Sequence, residues 1–195
     1  MGCSPLPTAP SPEAWSRWEA RRQQLESNLK NWAITGRIGV QQEDQGWHAA
    51  LRWEQLDDYY RLQVSGPAGQ GAARLEGGPT GVVLRRGDGV TYQADSPEQL
   101  LETHLGWQVP LAGLRDWVRG LPAPGELSHL ALDEQGRLLG GRQDGWTFVL
   151  SNYGEVSGMQ LPGRLLLEHP PLQVKLVIER WQLNHSTMPK GLSKF

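Results

Sequence analysis

The stretch 46–71, GWHAALRWEQLDDYYRLQVSGPAGQG, alternates apolar and polar residues with a period of two. Trp47, Ala49, Leu51 and Trp53 share one face, against His48, Arg52 and Glu54 on the other. After Asp57-Asp58 the alternation resumes, with Tyr60, Leu62 and Val64 against Arg61 and Gln63. Successive side chains of a strand point to opposite faces, so the pattern predicts antiparallel strands with one covered face and one wet face. The stretch ends in a tip of Gly66, Pro67, Ala68 and Gly69. A tight hairpin needs only two residues of the Asn-Gly or Asp-Gly kind. This tip is broader and more apolar, so either it is a plain solvent loop or it touches something.

Working outward, 32–42 carries Ile34, Ile38 and Val40 on even positions, and short strand patterns recur at 70–76, 80–86 and 90–94 between Gly-rich turns. That is a six-strand meander. The period then changes. DSPEQLLETHLG opens with Ser96 as cap, Pro97 in the first turn and Gln99 three residues after the cap, and Gly106 stops the helix. PLAGLRDWVRGLP follows with Leu111, Leu114, Trp117, Val118 and Leu121 at helical spacing. Strands resume at 127–133, 137–143, 146–152, 164–169 and 173–181. A further helix is predicted near the start, capped by Ser11 and running to about Asn31, with Trp15, Trp18, Leu25 and Leu29 on one face. The count is eleven strands and three helices, a mainly β chain of the α+β kind. Helices with apolar stripes must lie on the apolar face of the sheet, so the expected fold is one curved antiparallel sheet with helices on its concave side. The pattern leaves open whether helix and sheet meet in a solid core or enclose a cavity.

Composition removes several function classes. A net charge of −2 over 195 residues, without a block of basic residues, argues against a nucleic-acid grip. The single cysteine, Cys3, excludes an internal disulfide and a thiolate metal cluster, and the five histidines show no metal-ligand spacing. Walker A, GxSxG and Rossmann fingerprints are missing, so no catalytic residue, cofactor or metal is assigned. An envelope hydrolase would need Ser, His and Asp scattered in sequence but gathered in a cleft. The opening Met1-Gly2-Cys3 lacks a full signal peptide, and Leu6 breaks the myristoylation pattern. Gly2-Cys3 reads as the end of a bacterial lipobox, which makes Cys3 the expected lipidated residue; the bland alternative is an ordinary N-terminal thiol. Residues 4–12, SPLPTAPSP, hold four prolines and favour an extended tether of roughly 28 Å. The expected organisation is a lipidated tether over 1–12, a folded domain over 13–184 and a disordered tail over 185–195.

Particular motifs carry a family resemblance. They are the N-terminal Cys with its linker, WAITGRIGV at the start of the sheet, Trp53 with Gln55, YRLQVSGPAGQG, YQADSPEQLLETHLGWQVPLAGLRDWVRGLP, and LPGRLLL with VKLVIERW near the end. Over about residues 13–184 the chain resembles the LolB family, outer-membrane lipoproteins that accept other lipoproteins from the periplasmic carrier LolA. The resemblance implies an incomplete eleven-strand antiparallel barrel covered by about three helices around an apolar acyl-chain cavity. It also implies a lipid anchor at Cys3 on the periplasmic face of the outer membrane. Ser4, rather than Asp, after the acylated cysteine fits that membrane. The implied partners are a LolA-like carrier, acylated lipoprotein cargo and outer-membrane lipid, with no nucleic acid, no cofactor and no nucleotide, and the chain is expected to be monomeric. Among inward positions, Leu51, Trp53, Leu62, Val64, Leu101, Leu105, Leu114, Trp117, Val118, Phe148, Leu150, Leu176 and Ile178 are the candidate cavity lining, with dry core as the competing role for each. In the family the loop after the third strand projects, and its apolar tip helps pass cargo into the membrane. The matching positions are Gly66, Pro67, Ala68 and Gly69, where Ala68 stands in place of a bulkier tip residue. The alternative from another class is an envelope lipoprotein that binds lipid or fatty acid without transferring cargo.

Overall fold

The computed structural model describes residues 10–67, 71–105 and 109–183. Cys3, the first nine residues of the tether region, Ala68, Gly69 and the 185–195 tail lie outside the described residues. Helix α1 spans Pro12–Asn28, and six strands follow: β1 Asn31–Gln42, β2 Gln45–Leu56, β3 Tyr59–Ser65, β4 Ala73–Gly78, β5 Gly81–Arg86 and β6 Thr91–Ala94. Helices α2 Pro97–Leu105 and α3 Leu111–Trp117 interrupt them. The chain then runs through β7 Ser128–Leu132, β8 Leu138–Gln143, β9 Trp146–Ser151, β10 Gly154–Val156, β11 Met159–Leu161, β12 Arg164–His169 and β13 Leu172–Leu183.

Eleven of these strands form one antiparallel sheet in the order β6-β5-β4-β3-β2-β1-β13-β12-β9-β8-β7. The first and last long strands, twelve residues each, pair at its centre, so the chain's two ends close the middle of the fold. The sheet is not closed; β6 and β7 are its edges, and α2 with α3 connects them. Period-two alternation becomes burial directly. In β2, Ala49, Leu51 and Trp53 are buried while Arg52 and Glu54 are not, and in β13 Val174, Leu176 and Ile178 are buried while Gln173, Lys175 and Glu179 are exposed. The inward residues form one continuous core with Trp32, Trp53, Trp117 and Phe148 fully buried.

Local chemistry sets the element ends. Ser11 Oγ accepts from Ala14 N at 3.1 Å and caps α1. The helix stops three residues before the expected Asn31, because Asn31 begins β1 opposite Leu56 and its Oδ1 accepts from Asp57 N at 3.0 Å. The buried stripe of α1 is Ala14, Trp18 and Leu25, and Trp15 stands outside it at 42 % exposure. The residues that turn inward are spaced by four and seven, close to two full turns per seven residues, whereas Trp15 is displaced by one position. The hairpin β10–β11 is an addition to the eleven expected strands. Its turn is Ser157-Gly158 with both residues at positive φ, the pattern of a two-residue type I′ turn.

Candidate functional site, an apolar cavity beneath two helices

The residues that β1–β5 turn inward stack into apolar rows. Trp53 faces Leu62 across the β2–β3 pair, Leu62 faces Leu75 on β4, and Leu75 faces Leu84 on β5. One residue pair along, Leu51 faces Val64 and Val64 faces Ala73. The α2–α3 segment crosses this wall without filling it. A cavity of about 70 Å³ remains between them. Its lining is Ile38 and Val40 of β1, Leu51, Leu62, Val64, Ala73, Leu75, Leu84, Val174 of β13, Leu101 of α2, Val109, and Leu111 and Leu114 of α3. All thirteen are apolar, so a site of this chemistry takes hydrocarbon and offers a polar group no partner.

Of the residues chosen from sequence, Leu51, Leu62, Val64, Leu101 and Leu114 border the cavity. Trp53, Trp117, Val118, Phe148, Leu150, Leu176 and Ile178 lie buried in the core away from this space. Leu105 ends α2, and its side chain is outside what is described. Ile38, Val40, Ala73, Leu75, Leu84, Val109, Leu111 and Val174 were not among the chosen residues. For Val40 and Val174 the signal was available: both continue the inward series of their strands, and they face each other in the β1–β13 pair.

The two helices are held by a few directional contacts. Pro110 gives α3 no side-chain cap; instead Glu98 of α2 reaches across, and its Oε1 accepts from Leu111 N at 3.0 Å and Ala112 N at 3.4 Å. A carboxylate at a helix N-terminus also meets the positive end of the dipole. Ser96 Oγ accepts from Gln99 N at 3.2 Å, the expected cap of α2. Tyr60 of β3 is held well above the ordinary tyrosine range, first by burial and then by the charge of Glu98. On β6 the ring of Tyr92 stacks on His104 of α2 at 3.6 Å.

The far end of α3 is tied more firmly. Trp117 Nε1 donates to Gln143 Oε1 at 2.8 Å, and its ring stacks on Phe148 with centroids 5.1 Å apart. The same Gln143 accepts from Ala123 N at 2.9 Å and donates to Ala123 O at 2.8 Å, so its buried amide is satisfied on both sides. Arg119 donates to Leu29 O at 3.0 Å and pairs with Asp116, joining the exit of α3 to the end of α1. Burial pulls its guanidinium below its ordinary range, and Asp116 opposes the shift. The chain leaves β3 after Ser65 through a half-buried Gly66 and an exposed Pro67. Among the described residues no group of three His, Cys, Asp or Glu side chains could hold a metal ion, and no helix is long and apolar enough to cross a membrane.

Comparison with known proteins bears on this arrangement. The sequence model of the family described as "Outer membrane lipoprotein LolB" matches residues 30–181. The outer-membrane lipoprotein LolB of Pseudomonas putida (strain GB-1) is 46 % identical over 166 residues, which cover 85 % of this chain and 80 % of that protein. The LolB of Pseudomonas aeruginosa (strain LESB58) is 45 % identical over 165 residues, with 85 % and 80 % covered. Among solved structures, a LolA superfamily protein from Nitrosomonas europaea superposes with a TM-score of 0.59 at 11 % identity, covering 90 % of this chain and 94 % of that one. A likeness at that identity establishes a shared fold, the open sheet covered by helices. Sequence identity over four-fifths of both chains, with a family match running from the entry of β1 into β13, establishes more: the chain belongs to the LolB family of outer-membrane lipoproteins.

Proposed function

We propose that this protein is an outer-membrane lipoprotein receptor that takes acylated lipoproteins from a LolA-like carrier and inserts them into the outer membrane. It is anchored through Cys3, acts as a monomer and uses no nucleotide. The observation that carries the reading is the wall beneath α2 and α3, where thirteen lining residues include no polar side chain.

The physical need for such a wall is large. Burying a CH₂ is worth about 0.8 kcal/mol, so a chain of about sixteen carbons represents roughly 12 kcal/mol, and exposing it to water would make transfer very slow. Passage from one apolar pocket to another, and then into lipid, avoids that exposure. The direction of transfer follows from rising affinity along carrier, receptor and bilayer. The cavity, about 70 Å³, is too small for an acyl chain. An apolar cavity of about 150 Å³ accepts one benzene ring, so an acyl chain enters only when α2 and α3 separate from the wall. Inward residues of the sheet beyond the present cavity, Trp53 and Leu176 among them, then become available to the chain. The turn holding Gly66, Pro67, Ala68 and Gly69 is the membrane-insertion loop. Its tip methyl at Ala68 buries less area than a larger side chain would, by about 1–2 kcal/mol, and Pro67 adds apolar surface beside it.

The test mixes a Cys3→Ala form with a LolA-like carrier holding a radiolabelled lipoprotein and asks where the label goes. Movement of the label to this protein is the expected result. Label that stays on a carrier shown competent with another receptor overturns the proposal and leaves a lipoprotein that binds lipid without transfer. Ala68→Leu is expected to speed insertion of accepted cargo into liposomes.

A further inference from the structure

The outer side of the same wall carries a different chemistry. Thr35, Arg52, Gln63, Arg74 and Arg85 face one another in register across β1 to β5. They alternate with the inward residues Leu51, Val64, Leu75 and Leu84, so they point away from the core. The twist of the sheet folds this row into an open concavity of about 650 Å³, lined by Arg52, Arg74, Arg85 and Arg86 and by one carboxylate, Glu179. That carboxylate is engaged by Arg37 at 2.8 Å. Arg52 is bonded to Glu54 at 2.7 Å and Arg86 pairs with Asp88 at 3.4 Å, whereas Arg85 only approaches Glu76 at 3.9 Å. Arg74 makes no ion pair among the described residues. With the Gln63 amide turned so that its oxygen faces it, that oxygen accepts from Arg74 Nη2 at 2.7 Å and Nε at 3.0 Å. The guanidinium is thus aimed without being neutralised. Arg74 and Arg85 sit on adjacent strands, about 4.8 Å apart in backbone. Four arginines in one hollow are conspicuous in a chain of net charge −2.

We propose that this arginine row is a seat for lipid phosphate, by which the folded body lies against the anionic surface of the membrane that anchors it. Guanidinium forks bind phosphate oxygens in pairs, and two forks from neighbouring strands converge on one phosphate. Ser65, at the end of β3, and Ala72, just before β4, also line the hollow. Orientation by headgroups is independent of cargo transfer, although it rests on the reading of the protein as working at a membrane.

The experiment uses the full chain carrying Cys3→Ala, so that no acyl anchor contributes, and measures flotation with vesicles. One set is phosphatidylcholine alone and the other is phosphatidylcholine mixed with phosphatidylglycerol. The expected result is binding to the anionic set that weakens as salt rises. The double substitution Arg74→Gln, Arg85→Gln is expected to weaken it by roughly thirtyfold, about fivefold per arginine at an anionic surface. Arg74→Lys, Arg85→Lys keeps the charge but loses the paired donors, and is expected to bind between the parent and the Gln variant; a Lys variant that floats like the parent overturns the seat and leaves general charge attraction. Both arginines are exposed, so the core is untouched, and circular dichroism checks that. Equal binding to both vesicle sets, or a Gln variant that floats like the parent, overturns the proposal. Inorganic phosphate that shifts the Arg side-chain Nε–H resonances while anionic vesicles fail to bind makes the ligand free phosphate, and also overturns it. A Gln variant that keeps vesicle binding but loses handover from the carrier makes the row a protein dock, with the same consequence. Anionic binding that persists when the labelled-cargo test fails separates this proposal from the receptor reading.

Discussion

At Gly36 a single hydrogen atom in place of a methyl group keeps the central seam together. The β1–β13 register shifts between Thr35 and Gly36, and a Cβ at position 36 would fall on the carbonyl oxygen of Val177. That oxygen is backbone, fixed by the neighbouring ladder, and cannot rotate aside as a side chain could. Gly36→Ala is therefore expected to cost about 1–3 kcal/mol, read as a lower urea midpoint with an unchanged slope. A midpoint like the parent's would mean that the bulge relaxes freely. Two tyrosines make a second prediction at this scale. Tyr60 is pushed up by burial and by Glu98, and Tyr153 is pushed up by burial only partly offset by Arg21. Unfolded tyrosine ionises near pH 10. Above that pH the native state holds protons that the unfolded state has released, so stability is complete below about pH 10 and falls as pH rises further. Tyr60→Phe should flatten that alkaline decline in a series of urea titrations. Tyr153→Phe should flatten it too, with a baseline loss at neutral pH because the Tyr153 hydroxyl donates to Leu138 O at 2.5 Å.

Helix α3 is seven residues long and cannot stand on its own hydrogen bonds. Its N-terminal amides depend on a residue thirteen positions back, Glu98, which makes α2 and α3 a single unit at that end. Glu98→Ala is expected to cost about 1 kcal/mol, the usual value of a cap, or roughly 2–4 °C in midpoint for a chain of this size. Native-state hydrogen exchange should locate the loss at the Leu111 and Ala112 amides. Glu98→Gln keeps an acceptor oxygen and should cost less. The strands were legible in sequence because alternation is a geometric consequence of the pleat, and the register observed puts Leu51, Leu62, Val64 and Trp53 on the face expected. The β10–β11 hairpin escaped because each strand is three residues long, too short for alternation to register; only its Ser157-Gly158 turn gave a cue. The cavity was legible only as a face. Inward positions at one end of the sheet look like those at the other, and nothing in the period tells Leu75 and Leu84, which border the gap, from Phe148 and Leu150, which are packed over. That distinction comes from where α2 and α3 cross the sheet, a long-range property set by Glu98, Trp117 and Gln143.

For the molecule as a whole, the contacts of the helical segment are unequal, and the inequality points to how it opens. The exit of α3 is bolted by the Trp117–Gln143 hydrogen bond, the satisfied Gln143 amide and the Arg119 link to α1, all buried. The entry of α3 is bonded through Leu111 N and Ala112 N to Glu98 of α2, so it moves with α2 rather than with the sheet, and the Arg115–Asp58 pair in its last turn, at 3.3 Å, is on the surface and worth little. Helix α2 is held by the Tyr92–His104 stack and by Leu100 and Leu101 against the wall. A swing of α2 together with the entry of α3, joined by Glu98, about the fixed exit of α3 therefore breaks apolar contacts, one ring stack and a surface ion pair, while leaving the buried hydrogen bonds at the exit intact. On the proposed function, an incoming acyl chain would replace those apolar contacts with its own and stabilise the open state in proportion to its differential affinity for the two states. Amides of α2 are expected to exchange at least roughly a hundredfold faster than those of β1 and β13 at the seam, because local opening needs less free energy than global unfolding. An apolar acyl probe should accelerate α2 exchange further and leave the Ala123 amide protected. Protection of α2 equal to that of β1 would place the entry elsewhere on the sheet, and loss of protection at Ala123 together with α2 would mean that the whole helical segment lifts and breaks the buried Gln143 network.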